Sequence, residues 1–318
     1  MNRRQFLHQA ALNTAALVVG ASASAATIIR DPKPKGIIDT HTHFYDPTRP
    51  QGVPWPGPQE KALYRPVLPR DFKRLAAPHG VVGTVVVEAS PWVEDNQWIL
   101  DLAARDPFIK GLVGNLDPGI PEFRSRLKRF SKNRLFRGIR VGSDRLRRGL
   151  DEPGFVDDLK RLRDADLALD ILGPPALLRT VCDVAKAAPG LRCVIDHVAN
   201  LGIQGGTPPL SWREGMREAA QYPQVFCKVS GLVEGTGRRD GSAPATVDFY
   251  RPVLDDVFQA FGPRRVIYGS NWPVCEPFAF YSTVQNIVEE YVKQRGPEAY
   301  DLFFSGNAKA AYKWVQRG

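Results

Sequence analysis

Short runs of apolar and β-branched residues alternate with longer amphipathic segments along most of the chain. Runs that are apolar throughout are typical of parallel strands with both faces covered, and they predict strands at residues 36–44, 81–89, 109–117, 136–141, 167–172, 192–197, 225–230 and 265–271. Between the runs, apolar residues recur at three- and four-residue steps, which predicts helices at residues 71–77, 94–104, 122–130, 155–165, 176–188, 212–221, 246–261 and 280–294. Eight alternating units predict an α/β fold, a single (β/α)8 barrel of the TIM type. A further amphipathic segment at residues 298–314 predicts an extra C-terminal helix.

The start of the chain departs from this alternation. Arg3 and Arg4 precede a mild apolar run, and a string of alanine and serine follows it and ends at Ala25. This order is typical of a secretory signal peptide, and the arginine pair resembles the twin-arginine type. The apolar run is too short to remain as a permanent membrane anchor. We therefore expect a twin-arginine signal peptide at residues 1–26, its recognition by the twin-arginine export machinery, and a periplasmic barrel at residues 27–318.

The stretch after the first predicted strand is rich in proline. Residues 46–66 carry six prolines together with Trp55 and Tyr64. Proline at this density cannot extend a strand or a helix, so the stretch is predicted to be a long loop. Long loops that follow barrel strands usually shape the mouth of the active site, and we expect this loop to do so.

Charge and cysteine content narrow the class of protein. The formal net charge is +9, but the basic residues are scattered and lack the aromatic spacing of a nucleic-acid platform. We therefore expect no nucleic-acid partner and a general attraction of small anions. The four cysteines have no CxxC spacing, which argues against a redox or metal cluster of cysteines. Cys193 and Cys227 fall in predicted strands, where cysteine serves as a small core residue.

Polar residues end several of the predicted strands. Catalytic groups of such barrels lie at the carboxyl ends of the strands. His41 and His43 are two residues apart and share one face of the first strand, with Asp39 one step deeper on that face. Two imidazoles on one face can hold a metal or position an acyl oxygen. The second, fourth, sixth and seventh strands end in Glu88, Arg140, His197 and Lys228.

Four motifs resemble the amidohydrolase superfamily. They are Ile-Asp-Thr-His-Thr-His-Phe at residues 38–44, Asp196-His197, Cys-Lys-Val-Ser-Gly-Leu at residues 227–232, and Tyr-Gly-Ser-Asn-Trp-Pro-Val at residues 268–274. The similar branch is the one that holds sugar-lactone hydrolases and 2-pyrone-4,6-dicarboxylate hydrolase. The resemblance covers nearly all of the mature chain, and it implies a barrel hydrolase that adds water to a lactone carbonyl. It also implies that the first-strand and sixth-strand histidines surround that carbonyl.

The chain departs from the family pattern after the eighth strand. The family normally supplies a water-activating aspartate there, whereas this chain has Asn271. An amide cannot accept a proton at neutral pH, so the expected general base is missing. Asp170 stands where the family has a fifth-strand histidine, and Arg140 replaces a bridging lysine. We therefore do not expect a binuclear metal centre.

We expect a hydrolase that opens the ester bond of a small anionic lactone. The substrate is either a sugar lactone or a carboxylated or sulfonated unsaturated lactone or pyrone. A guanidinium at the mouth can clamp a flat anion, so Arg140 and Lys228 are expected to bind the substrate. The catalytic residues are expected to be His41, His43, His197 and Asn271. The imidazoles would polarise the carbonyl and move protons, and the amide would orient water or donate to the oxyanion.

Several alternatives remain open from the sequence. The base is either a histidine or Glu88. No cofactor is required, or one divalent ion such as zinc binds His41 and His43, with Glu88 or His197 completing its ligands. Instead of a hydrolase, the chain would be a lactone isomerase, a metal-dependent decarboxylase on the same barrel, or a non-catalytic periplasmic barrel that binds a ligand. The sequence does not define the oligomeric state.

Overall fold

The computed structural model describes residues 36–315. Eight parallel strands pair in chain order: β1 Ile37–Thr42, β2 Val81–Val87, β3 Ile109–Gly114, β4 Phe136–Gly142, β5 Ala168–Leu172, β6 Arg192–Ile195, β7 Val225–Val229 and β8 Val266–Tyr268. The backbone N–H of His43 donates to the carbonyl of Trp272 at 2.9 Å, just past β8. This bond brings the two edge strands together. The α/β barrel predicted from the sequence is thereby confirmed as a nearly closed barrel of the TIM type.

Helices alternate with the strands along the chain. They span Pro69–Ala76, Val93–Arg105, Phe123–Phe130, Ser143–Gly149, Phe155–Asp164, Leu177–Ala187, Leu210–Ala220, Val247–Phe261 and Tyr281–Lys293. Each buries apolar residues, as in Leu127 and Phe130 of one helix, whereas Arg124, Lys128 and Arg129 of that helix are exposed. The chain then continues through Pro297–Asp301, a π-helical turn at Leu302–Gly306, and Asn307–Tyr312. No helix within residues 36–315 is long and apolar enough to cross a membrane.

The barrel interior holds a compact apolar layer below the strand ends. Side chains from seven strands form it: Ile38, Val85, Val87, Val113, Ala168, Val194, Phe226 and Ile267. The C-terminal segment packs onto this layer through Ala308, Ala311, Tyr312 and Trp314. The bottom of the barrel is therefore filled, and chemistry is possible only at its other end. All four cysteines are buried with free thiols, and Cys193 and Cys227 lie in β6 and β7.

Six of the eight strands end earlier than the sequence predicts, and three of these ends concern candidate site residues. β1 stops before His43, β6 before His197 and β8 before Asn271. The backbones of His197 and Asn271 have φ of 53° and 60°, which an extended strand cannot adopt. These residues therefore leave the sheet and turn across the end of the barrel, where their side chains gather.

Candidate active site

A cleft opens at the carboxyl ends of the strands. Its larger lobe has a volume of about 760 Å³, and a smaller lobe of about 410 Å³ adjoins it. Both lobes are lined by Trp55, His197, Asn271 and Val274. Trp55 lies in the proline-rich loop, with its ring 6.0 Å from the ring of His43. The loop therefore contributes to the mouth of the cleft.

His43 lines the larger lobe, and a polar group lies beside each of its ring nitrogens. Its Nδ1 donates to the carbonyl of Val87 at 3.0 Å, and its Nε2 lies 3.2 Å from Oδ1 of Asn271. Burial, helped by the charge of Arg140, lowers the pKa of His43 to about 3. The ring is therefore neutral at physiological pH and is a poor proton acceptor there.

His197 stands between the two lobes. Its Nδ1 lies 2.8 Å from the hydroxyl oxygen of Ser230, and burial lowers the pKa of the ring to about 4. The chain passes very close at Gly231, where a Cβ would lie 2.8 Å from Cβ of His197. Gly231 also has a φ of +65°, so glycine is required there on both counts. Ser230 and Gly231, in the motif at residues 227–232, thus position the ring of His197.

His41 lies deeper than the other two imidazoles. It is fully buried, with Nδ1 3.2 Å from Nζ of Lys228 and 3.5 Å from Oδ1 of Asp196. Its Nε2 has no hydrogen-bond partner among the described residues. Burial, reinforced by Lys228, holds the pKa of His41 well below its usual value. The ring is therefore neutral and offers one free nitrogen.

Lys228 does not reach the cleft, which corrects its predicted role in substrate binding. Its side chain is completely buried, and Nζ lies 2.6 Å from Oδ2 of Asp170 and 2.9 Å from Oδ1 of Asp196. The hydroxyl of Tyr312 also donates to Oδ2 of Asp170 at 2.8 Å. Burial favours the neutral lysine, but the two carboxylates outweigh it and raise the pKa of Lys228. Lys228 is therefore a buried cation that supports His41 from below.

Asp39 is also separate from the imidazoles. Its Oδ1 accepts the backbone N–H groups of His41 at 3.1 Å and Ser270 at 2.9 Å. The register of β1 against β2 is irregular between Asp39 and Thr42, which breaks the simple two-residue alternation. Asp39 therefore ties β1 to the segment after β8 instead of facing the cleft.

One group of potential metal ligands occurs within residues 36–315, and it consists of His41, Asp196 and His197. Their ligand atoms lie within 4.8 Å of one another. This set differs from the expected His41, His43 and Glu88, because Nδ1 of His43 is bonded to Val87, its Nε2 faces Asn271, and Glu88 is paired with Arg140. Nε2 of His41 and Oδ2 of Asp196 are buried without hydrogen-bond partners. Two imidazoles and a carboxylate suit zinc, so these residues fit such an ion.

Arg140 lines the larger lobe as predicted, but it is already paired. Its Nε donates to Oε1 of Glu88 at 2.8 Å, and its Nη2 donates to the carbonyl of Glu88 at 2.7 Å. Arg145 on the same wall is paired with Asp117 at 2.8 Å. Arg126 also lines this lobe, and its side chain makes no hydrogen bond or ion pair within residues 36–315. The wall thus presents paired donors and acceptors together with one unpaired cation.

Glu234 is the site residue that the sequence analysis missed. It lines the smaller lobe, and its Oε1 accepts a hydrogen bond from Nδ2 of Asn271 at 2.8 Å. It lies in a 3₁₀ turn, Glu234–Thr236, beyond the end of β7. Reasoning from strand ends could not reach it. The sequence carries one indication of it, the amide at position 271. If the usual carboxylate is absent there, a carboxylate from a neighbouring loop can take its place.

The chain is similar to characterised hydrolases over almost its whole barrel. The family model described as Amidohydrolase matches residues 38–314. An L-fucono-1,5-lactonase of Burkholderia ambifaria is 34% identical over 288 residues, which cover 87% of this chain and 95% of that protein. A 4-sulfomuconolactone hydrolase of Rhizobium radiobacter is 24% identical over 243 residues, 76% of each chain. A crystal structure of a Burkholderia multivorans amidohydrolase with bound zinc has a TM-score of 0.79 and 27% identity, covering 88% of this chain and 100% of that one.

Proposed function

Because the chain belongs to the amidohydrolase family, we propose that it hydrolyses a small, hydroxyl-rich lactone of the sugar-lactone kind. It is a hydrolase that acts on the carboxylic ester bond of lactones, as its lactonase relatives indicate. The non-catalytic barrel considered above is therefore set aside. In the proposed reaction, water adds to the ring carbonyl and the ring C–O bond breaks to give a hydroxy acid.

The pairing of Glu88 with Arg140 is the observation that supports a hydroxyl-rich substrate. Their side chains are 20% and 12% exposed at the larger lobe. Two N–H groups of Arg140 already donate to Glu88. The guanidinium therefore has few N–H groups left to bind a substrate carboxylate in a bidentate manner. A paired carboxylate and guanidinium together offer both acceptors and donors. Sugar hydroxyl groups both donate and accept hydrogen bonds, so a site that binds them needs acceptors as well as donors.

His197 and Asn271 are proposed to act at the carbonyl. Both line the two lobes of the cleft. With the Ser230 hydroxyl donating to Nδ1, the neutral ring of His197 carries its proton on Nε2 and, as long as no zinc ion is bound to that nitrogen, can donate a hydrogen bond to the developing oxyanion. Asn271 orients the attacking water through its amide. His43 fixes Asn271 from one side, and His41 packs against His197 with ring centres 4.3 Å apart.

Glu88→Gln is expected to raise KM for a neutral sugar lactone by at least about tenfold. The variant loses a charged acceptor, and hydrogen bonds to charged groups are worth about 1.5–3 kcal/mol. The matched control is Arg126→Gln, which should change KM for the same substrate by less than about twofold. Steady-state acid release, followed with a pH indicator over a panel of lactones, gives both values. An unchanged KM in Glu88→Gln argues against hydroxyl recognition at this pair.

A carboxylated or sulfonated lactone is the second candidate. The guanidinium of Arg126 favours it, since it is the one cation lining the larger lobe that makes no hydrogen bond or ion pair within residues 36–315, although its charge acts on Glu94. Acid release over the same panel of lactones distinguishes a neutral sugar lactone from a lactone that carries an acidic group. If a lactone that carries an acidic group is preferred, and Arg126→Gln removes that preference, the anionic substrate is the correct one.

We also propose that one zinc ion is held by His41, Asp196 and His197 when zinc is supplied. A bound zinc ion polarises a carbonyl and lowers the pKa of its water. His197→Gln is expected to lower zinc affinity at least about tenfold, whereas Glu88→Gln should leave it unchanged. Calorimetric titration of the metal-stripped protein measures both. Loss of zinc binding in Glu88→Gln, with binding retained in His197→Gln, contradicts this ligand set.

Export through the twin-arginine machinery to the periplasm is also a proposal. Its support is the order of charged, apolar and small residues in the segment 1–26, which lies outside the described residues. Replacement of Arg3 and Arg4 by lysine should leave an unprocessed precursor in the cytoplasm. Fractionation and mass measurement of the product provide the readout, and normal processing of the variant contradicts the proposal.

A further inference from the structure

We propose that Glu234 is the general base of the hydrolysis, in place of the carboxylate that is missing at position 271. The inference rests on the proposed lactone hydrolysis. The alternation of apolar and polar residues does not mark Glu234, because it lies in a loop beyond β7. The fold brings it into direct contact with Asn271 all the same. The site therefore keeps a carboxylate, carried by the loop after β7.

The position of Glu234 suits a base. It lines the smaller lobe together with His197 and Asn271, so water in that lobe lies beside all three. Oε1 accepts the bond from Asn271, while Oε2 has no hydrogen-bond partner among the described residues. Oε2 is itself buried, and a buried carboxylate with an uncommitted oxygen is stabilised by taking up a proton, as a general base must. The carboxylate of Glu234 is therefore assigned as the group that receives the proton.

The surroundings of Glu234 bring its pKa into the working range. Burial raises the pKa of Glu234 to about 7, although the hydrogen bond from Asn271 opposes this. Tyr250 and Cys275 face it, and burial keeps both of them protonated by raising their pKa values. Glu60 and Arg239 line the same lobe and form a pair with each other at 3.5 Å. No cation is bonded to Glu234 within residues 36–315, so nothing holds it permanently ionised.

The other carboxylates and imidazoles of the cleft are less suitable. Burial lowers the pKa of His43 to about 3 and that of His197 to about 4, so both are weak bases at neutral pH. The other three carboxylates of the cleft are each held by an arginine, Glu88 by Arg140, Asp117 by Arg145 and Glu60 by Arg239. Among the residues that line the cleft, Glu234 is the carboxylate with no cationic partner and with contact to the proposed water-orienting amide.

Asn271 explains how the protonated form of Glu234 is stabilised. The carbonyl of Val87 can only accept, so Nδ1 of His43 carries the ring proton and Nε2 of the neutral ring needs a donor. Asn271 provides that donor when its Nδ2 faces His43, and its Oδ1 then faces Glu234. In that orientation Oδ1 accepts a hydrogen bond from the carboxylic acid. A turn of the amide therefore satisfies all three groups once Glu234 has taken up a proton.

The chemical step balances with these groups alone. A lone pair of water forms the new C–O bond at the lactone carbonyl, the carbonyl π electrons move to oxygen, and the water proton passes to the carboxylate of Glu234. His197 donates a hydrogen bond to the oxyanion. Collapse of the intermediate breaks the ring C–O bond, and the leaving alkoxide takes the proton back from Glu234. The product is a hydroxy acid, and Glu234 returns to its starting state.

Glu234→Gln is expected to lower kcat by about 10²–10⁴, the usual contribution of a general base, with KM changed by less than threefold. A base must be unprotonated, so kcat/KM of the wild type should rise with pH and level off above about pH 7. That rise should be absent in the variant. Glu60→Gln, in the same lobe, is the matched control and should retain activity within about twofold. Each variant is compared by circular dichroism to verify folding.

Two further variants test the placement of the carboxylate. Asn271→Asp should lower activity, because two carboxylates would then face each other at hydrogen-bond distance and raise the pKa of the pair. The double variant Glu234→Gln with Asn271→Asp should regain at least about tenfold over Glu234→Gln alone, because the carboxylate returns to the strand-end position. No gain in the double variant argues that Glu234 has a structural role only.

The outcomes separate this inference from the proposed function. If the wild type hydrolyses a lactone of the panel but Glu234→Gln retains more than half of kcat, the base assignment is overturned and lactone hydrolysis stands. If the wild type hydrolyses no lactone, the proposed function is overturned, and the base assignment with it. An infrared carboxylic-acid band that titrates near pH 7 and vanishes in Glu234→Gln supports the protonation of Glu234 independently of activity.

Discussion

Lys228→Met is expected to lower the free energy of unfolding by about 3–5 kcal/mol, the typical result of removing one partner of a buried ion pair. The ammonium lies between Asp170 and Asp196, and all three side chains are completely buried. Methionine fills a similar volume, so the loss comes from leaving buried carboxylates without their cation. Activity should fall as well, because Lys228 supports His41 at 3.2 Å.

The pH dependence and a surface control make this prediction specific. In Lys228→Met the two carboxylates have raised pKa values in the folded state, so the variant loses stability as pH rises from their unfolded values. Its deficit against the wild type should therefore be larger at pH 8 than at pH 5. The control Lys313→Met removes an exposed ion pair with Asp166 and should cost less than about 1 kcal/mol. Urea unfolding measures the free energy of unfolding of both variants. An equally small decrease in Lys228→Met and Lys313→Met would contradict a stabilising buried cation at Lys228.

His197→Ala is expected to lower kcat by about 10²–10³, the usual effect of removing an oxyanion donor. His197 lines both lobes of the cleft, and its ring is neutral at working pH because burial lowers its pKa to about 4. Substrate binding should change little, since the donor acts on charge that develops only in the transition state. Steady-state kinetics with the preferred lactone separates kcat from KM.

Ser230→Ala provides the matched comparison for His197. The serine hydroxyl lies 2.8 Å from Nδ1 of the ring and directs the proton to the other nitrogen. Its loss leaves the imidazole in place but releases its tautomer, so a decrease in kcat of about tenfold is expected, smaller than that of His197→Ala. A KM effect in His197→Ala with kcat unchanged would mean that the ring binds the ground state and does not assist the reaction.

The barrel was predictable because its signal is repeated. Eight apolar runs and intervening amphipathic segments occur along the chain, and parallel strands that are covered on both faces require that pattern. The strand ends were less predictable. His197 and Asn271 leave the sheet with positive φ, and alternation along a strand carries no information on such turns. The short helix Ser143–Gly149 after β4 was also missed, since its arginine-rich sequence shows almost no apolar periodicity.

The candidate site was predicted in part. The structure brings His41, His43, His197, Arg140 and Asn271 to one end of the barrel. Lys228 was placed at the mouth because it ends a strand, whereas it lies beneath the cleft with Asp170 and Asp196. Depth along a barrel depends on strand stagger, which residue spacing does not reveal. Glu234 was missed because a loop of irregular backbone determines its position.

Hydrolysis of a hydroxyl-rich lactone at this cleft is tested most directly by acid release from that lactone, measured with a pH indicator for the wild type and for His197→Ala. The wild type is predicted to release acid far faster than the spontaneous reaction, and the variant to lose about 10²–10³ of that rate while still binding the lactone. Acid release by the wild type at the spontaneous rate, or an equal rate in both proteins, would contradict it.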